Sequence, residues 1–234
     1  MKTLSVVIPV YNEVGTVREI LTRVHAASLP HGLGLEVIVV DDGSTDGTRE
    51  ALRELEASGE IEFRLLELAS NQGKGAAVRR GFEAATGDIL LIQDADLEYN
   101  PNDYAALLQP ILDDRADAVF GSRFTSGPRR VLFFWHAVAN RMLTTLSNML
   151  TDLNLSDIET CYKVMRREVV DGMKLSSKRF GIEPELTAKM AKLGIRIYEV
   201  PVSYDGRTYA DGKKIGWRDG LAAVWWVLRY NLGP

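Results

Sequence analysis

Short aliphatic runs that alternate with helical patterns constrain the fold of this 234-residue chain more than any other feature. The runs LSVVIPV and LEVIVV are continuous and rich in β-branched residues, as in strands that are buried on both faces. Strands alternating with helices predict an α/β fold with a Rossmann-like, mostly parallel central sheet and helices on both faces. The strands predicted in this half cover residues 4–10, 35–40, 61–68, 88–95 and 117–123.

Capping residues and apolar spacing predict the helices and the remaining elements. Asn12 should cap the first helix, and Gly87 should end the helix that NQGKG opens. No repeat or linker divides the chain, so we expect a single domain over residues 1–234. In the second half we expect helices over 131–150, 180–194 and 218–230, a strand followed by a helix over 158–169, and a strand over 195–204.

Composition excludes several classes of protein. A net charge of −4 gives no electrostatic reason to expect nucleic acid as a partner. Cys161 is the only cysteine, which excludes an internal disulfide and agrees with a reducing cytoplasm. The N-terminal residues lack the pattern of a signal peptide. The longest apolar run, 221–228, is shorter than the about 20 residues that span a bilayer, so we expect no integral membrane protein.

Three acids follow the strand predicted over 88–95 at every second position. If the extended backbone continues, the side chains of Asp94, Asp96 and Glu98 point to the same side. Their negative charges would repel each other unless something offsets them. A metal ion, a cationic side chain and water are all open at this point.

Polar residues follow the other strands too, and the carboxyl ends of parallel strands meet at one edge of a sheet. This edge offers acceptors for a base and ribose, a cation among glycines for a pyrophosphate, and carboxylates for a hard divalent metal. A nucleotide diphosphate needs all of these. Taken alone, Asp41 and Asp42 would also fit a turn and helix cap, and Lys74 would fit a solvated side chain. The groups are Pro9, Tyr11 and Glu13; Asp41 and Asp42; Gly73, Lys74 and Gly75; and Asp94 with Asp96.

Other ligand motifs are excluded. The first strand has no G-x-G-x-x-G after it, and NQGKGAA lacks the spacing of a P-loop. DDGSTDGT approaches a calcium loop, but Arg53 stands where a bidentate glutamate is required. The sequence also lacks a cysteine–histidine cluster for zinc and a G-x-S-x-G nucleophile motif.

The motifs IPVYNE, VVDDGSTDGT, NQGKGAA and DADLEYNP together resemble those of family 2 glycosyltransferases with the GT-A fold. Four further motifs follow in the same order as in dolichyl-phosphate mannose and glucose synthases and in bacterial polyprenyl-phosphate glycosyltransferases, which they resemble. They are GSRF, NRMLTTLSN, SDIETCYKVMRREV and EVPVSYDGRTYADGKKI. The resemblance covers nearly the whole chain. It implies a nucleotide-sugar-binding half over residues 1–124 and an acceptor-binding half over residues 125–234.

The resemblance also implies roles for individual residues. Asp94, Ala95 and Asp96 form the D-x-D motif, whose two carboxylates would hold Mg²⁺ or Mn²⁺ against the diphosphate, with Glu98 on the metal side. Arg123 would face the acceptor phosphate. The base and ribose of the nucleotide sugar would be held by Pro9, Tyr11, Glu13 and Asp41 or Asp42. Lys74 would lie near the nucleotide. Arg207 and Lys213 would close over the diphosphate.

The implied reaction is metal-dependent transfer of a hexose, with inversion, from a donor of the GDP-mannose or UDP-glucose type to a polyprenyl phosphate. The phosphate is already an anion and needs no base. Glu159 departs from the family, because eukaryotic synthases have small neutral residues there. Glu159 or Asp157 could therefore act as the base for a hydroxyl acceptor, which remains the alternative reaction. A further alternative is an inactive protein that binds nucleotide sugars.

A lipid acceptor would require contact with a membrane surface. The segment PRRVLFFWH joins two arginines to aromatic residues, and the last helix adds Trp225 and Trp226. Such residues suit a membrane interface, and they equally suit a packed core. We expect a cytoplasmic protein and leave its attachment to the inner face of the membrane open.

Overall fold

The structure is a computed structural model that describes residues 2–30, 32–125, 130–131, 133–179, 181–207 and 217–233. Seven strands lie in one sheet within this part of the chain. The strands are β1 (Thr3–Val10), β2 (Gly34–Asp41), β3 (Arg64–Glu67), β4 (Ile89–Ile92), β5 (Ala118–Ser122), β6 (Lys163–Arg166) and β7 (Ile197–Pro201). The helices are α1 (Val17–Ala26), α2 (Thr48–Ser58), α3 (Lys74–Ala84), α4 (Tyr104–Leu112), α5 (Phe134–Thr151), α6 (Arg167–Asp171), α7 (Ile182–Leu193) and α8 (Trp217–Leu232). A 3₁₀ turn, Pro101–Asp103, precedes α4.

The sheet is mostly parallel, as predicted. The strand order is β3-β2-β1-β4-β6-β5-β7. β1 pairs in parallel with β2 and β4, β2 with β3, and β5 with β7. Among these strands only β6 runs antiparallel, between β4 and β5. The order reverses between β1 and β4, which is where open α/β sheets bind their ligands.

Both faces of the sheet are buried. Val6 and Val7 point to opposite faces of β1, and neither is exposed. α3 lies on the face of Val7, because a Cβ atom added at Gly81 would sit 2.2 Å from Val7 Cγ1. Burial on both sides explains why the strand sequences are continuous apolar runs without alternation.

Two predicted boundaries around the site are wrong. The strand expected over 88–95 ends at Ile92, and Leu97 has a φ of 64°, so Asp94 and Asp96 lie on a loop. The every-second-position argument for converging carboxylates therefore does not hold. Asn12 also does not cap α1, which begins at Val17. Its φ is 54°, and its side-chain oxygen accepts the Thr45 N–H at 2.8 Å.

Other boundaries differ less. α3 ends at Ala84, because the backbone of the C-cap residue Ala85 is extended. Gly87 therefore does not end the helix as predicted, and it packs closely against Ser5 and the Thr3 carbonyl. α5 begins at Phe134, where we expected helix from residue 131. α7 contains Pro184 in its first turn, as predicted. Residues 208–216 of the expected polar loop lie outside the described residues.

None of the described helices combines the length and the apolar sequence that are needed to cross a bilayer.

Candidate active site

The predicted residues of the first half meet at the carboxyl ends of β1, β2 and β4. Pro9 is the penultimate residue of β1, and Tyr11 and Glu13 follow it. Asp42 directly follows β2, and Asp94 lies two residues beyond β4. Because β1 pairs in parallel with both neighbours, these loops adjoin one another. The Tyr11 side chain is 38% exposed at this edge.

Asp41 and Asp42 are both buried and bonded within the protein. The Asp41 carboxylate accepts a hydrogen bond from Arg49 Nε at 2.8 Å. The Asp42 carboxylate accepts the N–H groups of Gln72 at 2.8 Å and Gly73 at 2.7 Å. Burial raises the pKa of Asp42. Asp41 also accepts the Ser44 N–H at 3.2 Å, as in the expected local turn, but neither aspartate caps α2, which begins after Gly47. Asp42 instead fixes the loop that opens α3.

Lys74 is not a solvated side chain. Its ammonium lies 2.7 Å and 3.0 Å from the two carboxylate oxygens of Asp94 and 2.8 Å from Glu183 Oε1. Burial opposes its charge, but Asp94 and Glu183 outweigh burial and raise the pKa of Lys74 well above its usual value. In this structure the negative charge of Asp94 is therefore offset by a cationic side chain, Lys74.

The glycines on either side of Lys74 permit a close backbone contact. Gly73 has a φ of 95°, and a Cβ atom there would lie 2.3 Å from the Lys178 carbonyl oxygen. At Gly75 it would lie 2.6 Å from the Ser177 carbonyl oxygen. The Gly75 N–H also donates to the Arg179 carbonyl at 3.1 Å. We expected these glycines to admit a pyrophosphate, whereas the structure shows them admitting residues 177–179, which lead into α7.

Asp96 lies in a negative environment. Burial, then Asp94, then Glu98 raise the pKa of Asp96 to about 7, while Arg207 acts in the opposite direction. Its Oδ1 atom accepts the Glu98 N–H at 3.2 Å. Ionised Asp96 is thus less favourable than an ordinary surface aspartate, and a nearby cation would stabilise it.

Arg207 joins three loops at this edge. Its guanidinium forms two bonds to the Glu13 carboxylate, at 3.2 Å and 2.9 Å. It also donates to the Asp96 carbonyl from Nε at 3.0 Å and Nη2 at 2.7 Å. The Arg207 N–H donates to Glu98 Oε1 at 2.7 Å. Two residues that we assigned separately to the nucleotide, Glu13 and Arg207, therefore form one ion pair.

Both carboxylate oxygens of Glu98 accept hydrogen bonds from the segment that contains Arg207. Oε2 accepts the Tyr204 hydroxyl at 2.8 Å, and Oε1 accepts the Arg207 N–H. An isolated bridge between Tyr99 and Tyr204 reinforces this contact. In this arrangement Glu98 holds the 204–207 segment against the D-x-D loop. We expected Glu98 on the metal side, whereas both of its oxygens accept hydrogen bonds from that segment.

Arg123 and Asp157 form a buried ion pair. Arg123 Nε lies 2.6 Å and Nη2 lies 2.8 Å from the carboxylate oxygens of Asp157. The guanidinium carbon also lies 5.1 Å from the centre of the Tyr204 ring. Tyr204 therefore connects the predicted acceptor residue, Arg123, to Glu98 and the D-x-D loop.

Glu159 lies among other charges in the second half of the chain. Burial, followed by the Glu183 carboxylate, raises the pKa of Glu159 to about 7, and Lys163 and Arg123 act in the opposite direction. Its buried Oε1 atom has no hydrogen-bond partner. A pKa near neutrality is one of the properties that a general base requires, in addition to contact with the proton that it removes.

The residues fit a divalent cation that completes its coordination with a bound ligand. Asp94 and Asp96 supply hard carboxylate oxygens, and a cation would stabilise the ionised form of Asp96, whose pKa is raised by burial and by the neighbouring carboxylates. Within the described ranges no group of three or more histidine, cysteine, aspartate or glutamate side chains is arranged to hold a metal. Mg²⁺ is commonly bound by one or two carboxylates, with substrate phosphates and water as the other ligands.

Two remaining residues of the predicted site carry less information. Ala95 is buried between the two aspartates, with 3% of its surface exposed. Lys213 lies outside the described residues.

The fold and the motifs gathered at this edge of the sheet agree with a glycosyltransferase. The family model for glycosyl transferase family 2 matches residues 5–173. The chain belongs to this family, as the motifs predicted.

Two relatives cover 91% of this chain. One is the undecaprenyl-phosphate 4-deoxy-4-formamido-L-arabinose transferase of Klebsiella pneumoniae, 32% identical over 214 residues. The other is the dolichol-phosphate mannosyltransferase of Pyrococcus furiosus, 30% identical over 216 residues. The chain spans 63% and 59% of the lengths of these relatives.

Solved structures of glucosyl-3-phosphoglycerate synthase from Mycobacterium tuberculosis share the fold. The complex with Mn²⁺, UDP and glucosyl-3-phosphoglycerate has a TM-score of 0.75 at 22% identity, covering 100% of this chain and 81% of that one. The complex with Mg²⁺ and UDP has a TM-score of 0.73 at 24% identity, with 100% and 80% coverage. The GT-A fold predicted from the sequence is confirmed.

Sequence reasoning missed Glu183 and residues 177–179. Glu183 lies 109 positions after Lys74 in an ordinary helical pattern, and no local signal marks it. The only available hint was the pair of glycines around Lys74, which indicated a close approach without indicating by what. Gln93 was also missed, although its side chain accepts hydrogen bonds from Tyr104 and Tyr162 at 2.8 Å beneath the D-x-D loop.

Proposed function

We propose that this chain transfers a hexose from a nucleotide sugar to a polyprenyl phosphate, with inversion at the anomeric carbon. One observation carries the proposal: the Asp94 and Asp96 carboxylates follow β4 beside two cations, Lys74 and Arg207. The family supports glycosyl transfer, and the names of both relatives include a polyprenyl-type phosphate. We propose a donor of the GDP-mannose or UDP-glucose type.

Asp94 and Asp96 would hold Mg²⁺ or Mn²⁺ against the donor diphosphate. Similar folds have been solved with Mn²⁺ or Mg²⁺ and UDP, which supports this assignment. When bound, the metal would stabilise the negative charge that the leaving diphosphate gains. Lys74 and Arg207 would add positive charge at the same place, and the proposal gives the same role to Lys213, which lies outside the described residues. Pro9, Tyr11 and Glu13 line the nucleotide end of the site in this proposal.

An oxygen of the acceptor phosphate forms the new bond to the anomeric carbon as the bond to the diphosphate breaks. The electron pair of that broken bond leaves with the nucleoside diphosphate. No proton needs to be removed from an ionised phosphate, so the acceptor side requires positive charge more than a base. Arg123 would supply it, and Asp157 orients Arg123 through their two-bond ion pair. Arg130, from the segment PRRVLFFWH, would add a second cation, and its Nη1 donates to the Gly206 carbonyl at 3.2 Å beside Arg207.

A hydroxyl acceptor is the second candidate, and one observation favours it. The pKa of Glu159 is raised to about 7, so this carboxylate could accept a proton from an alcohol near neutral pH. A phosphate acceptor would leave that property without a catalytic use.

Exposed apolar residues provide a surface for a lipid acceptor and its membrane. Phe134 and Trp135 at the start of α5 are 69% and 75% exposed, and Trp225 of α8 is 58% exposed. The described part of α5 contains no carboxylate, and Arg141 is exposed beside Met142. Apolar and basic groups of this kind suit an anionic membrane interface, so we place the protein peripherally on the cytoplasmic face.

A transfer assay tests the proposed acceptor. The protein is incubated with Mn²⁺ and labelled GDP-mannose or UDP-glucose, with undecaprenyl phosphate or undecaprenol in separate reactions. Label on the lipid phosphate alone supports the proposal. Label on the alcohol alone supports the hydroxyl reaction, and metal-dependent nucleotide binding without turnover on either acceptor supports an inactive binding protein.

A further inference from the structure

We infer that Glu183 is a positioning residue, which accepts the Lys74 ammonium when a divalent cation occupies Asp94. The inference rests on the proposed metal-dependent function. Nothing in the sequence motifs or the comparisons assigns a role to Glu183.

The geometry places one ammonium between two carboxylates. Lys74 Nζ lies within 3.0 Å of both Asp94 oxygens and 2.8 Å from Glu183 Oε1. A divalent cation on Asp94 needs the same oxygens and would repel an ammonium at that distance. Lys74 therefore competes with the cation, and binding requires it to withdraw from Asp94.

Withdrawal is feasible only if Lys74 keeps a partner. The side chains of Lys74, Asp94 and Glu183 are 15%, 22% and 10% exposed. An unpaired charge in such a site is costly, whereas a charge that changes from two partners to one stays compensated. Glu183 provides that remaining partner.

The backbone keeps Glu183 within reach. The Gly75 N–H donates to the Arg179 carbonyl at 3.1 Å, and the Ala76 N–H donates to the Lys178 carbonyl at 3.2 Å. The segment that leads into α7 is thereby fixed to the first turn of α3 independently of the ion pair. Replacing the Glu183 carboxylate should change where Lys74 rests without separating that segment from α3.

Mn²⁺ titration without nucleotide and with saturating UDP or GDP, followed by the electron paramagnetic resonance of free Mn²⁺, tests the inference under whichever condition the wild type binds. Glu183→Gln should weaken Mn²⁺ binding about tenfold, since Lys74 then pairs with Asp94 alone. Lys74→Gln should strengthen binding by removing the competitor. In the Lys74→Gln background, Glu183→Gln should have less than about a twofold effect. Lys74→Met serves as the second variant should Lys74→Gln not fold.

Glu54→Gln is the matched control, because it removes one exposed negative charge far along α2 and should leave Mn²⁺ affinity unchanged. Unchanged affinity in Glu183→Gln overturns the inference. The same loss in both backgrounds also overturns it, because that result describes a general charge effect. If wild-type protein fails to bind Mn²⁺ even with UDP or GDP present, the proposed function itself fails, and this outcome is distinct from the other two.

Discussion

The guanidinium of Arg207 forms a two-bond ion pair with the carboxylate of Glu13, from which it is separated by 194 positions in the chain. The same guanidinium donates to the Asp96 carbonyl. One side chain thereby connects the loop after β1, the D-x-D loop and the segment that leads into residues 208–216. The donor edge is consequently assembled from both halves of the chain.

Arg207→Lys should impair this assembly. A lysine has one nitrogen and cannot bond to both Glu13 oxygens and the Asp96 carbonyl at once. We expect the free energy of unfolding to fall by about 1–2 kcal/mol and kcat/KM for the donor to fall at least about tenfold. Urea unfolding and steady-state kinetics measure the two effects.

Arg196→Lys provides the control for that substitution. Arg196 forms a comparable pair with Asp117 at the other end of β7, where it is half exposed. Its replacement should leave donor kinetics unchanged. Equal kinetic loss in the two variants would show that the Arg207 effect is not specific to the site.

Gly73→Ala should be far more damaging than Gly59→Ala. Both glycines have a positive φ, 95° and 65°, so both substitutions carry backbone strain of about 1–2 kcal/mol. A Cβ at Gly59 meets nothing within 4 Å, whereas at Gly73 it would lie 2.3 Å from a carbonyl oxygen. Thermal unfolding should therefore show a small loss for Gly59→Ala and a severalfold larger one for Gly73→Ala. Similar losses would contradict the packing of Gly73 on residues 177–179.

Glu159→Gln should alter the pH dependence of stability. The folded-state pKa of Glu159 is about 7, above the usual value of 4.5. The folded state binds this proton more tightly, so the contribution to stability is present below about pH 4.5 and is lost as pH rises through about 7. Gln mimics the protonated form and should remove that dependence, which makes the variant relatively more stable at pH 8 than at pH 5.

Unfolding by urea at several pH values measures this effect, and identical pH profiles for the two proteins would contradict it. The same variant separates the two acceptors. A large loss of kcat on an alcohol would assign Glu159 as the base, and little change on a lipid phosphate agrees with our proposal.

Phe134 and Trp135 should contribute to membrane attachment. Replacing both with serine should reduce the protein bound to sedimented vesicles of anionic phospholipid by about tenfold or more, because two large apolar groups no longer leave water. Leu193→Ser is the control, since Leu193 is 43% exposed at the end of α7. Vesicle binding unaffected by the double substitution would place the membrane contact elsewhere.

Much of the fold was predictable because its strands are buried on both faces. Continuous runs such as residues 4–10 and 35–40 locate β1 and β2 to within about a residue, and their alternation with helices indicates the parallel sheet. β6 was predicted as a strand, but its antiparallel direction was not, since periodicity carries no information on strand direction. Asn12 and Gly87 were misassigned because their tertiary contacts override local capping preferences.

The sequence predicted which residues gather at the site better than it predicted which side chains form ion pairs with them. The D-x-D loop and Lys74 meet as expected, because strand ends gather at one edge of a parallel sheet. Arg207 also reaches the D-x-D loop, and only the family resemblance had implied its place there. The pairings of Lys74 with Glu183 and of Arg123 with Asp157 depend on how distant segments pack. Spacing within a motif cannot reveal such pairings.

Binding of nucleoside diphosphate with and without metal tests the central claim most directly. Isothermal titration with UDP and with GDP is performed on wild-type protein, Asp94→Asn and Asp96→Asn, in Mn²⁺ or in EDTA. We predict that one nucleotide binds the wild type only with Mn²⁺ and that each variant loses at least about tenfold in affinity. Equal binding in EDTA, or variants that bind as tightly as the wild type, would contradict the assignment of Asp94 and Asp96 to the metal and the diphosphate.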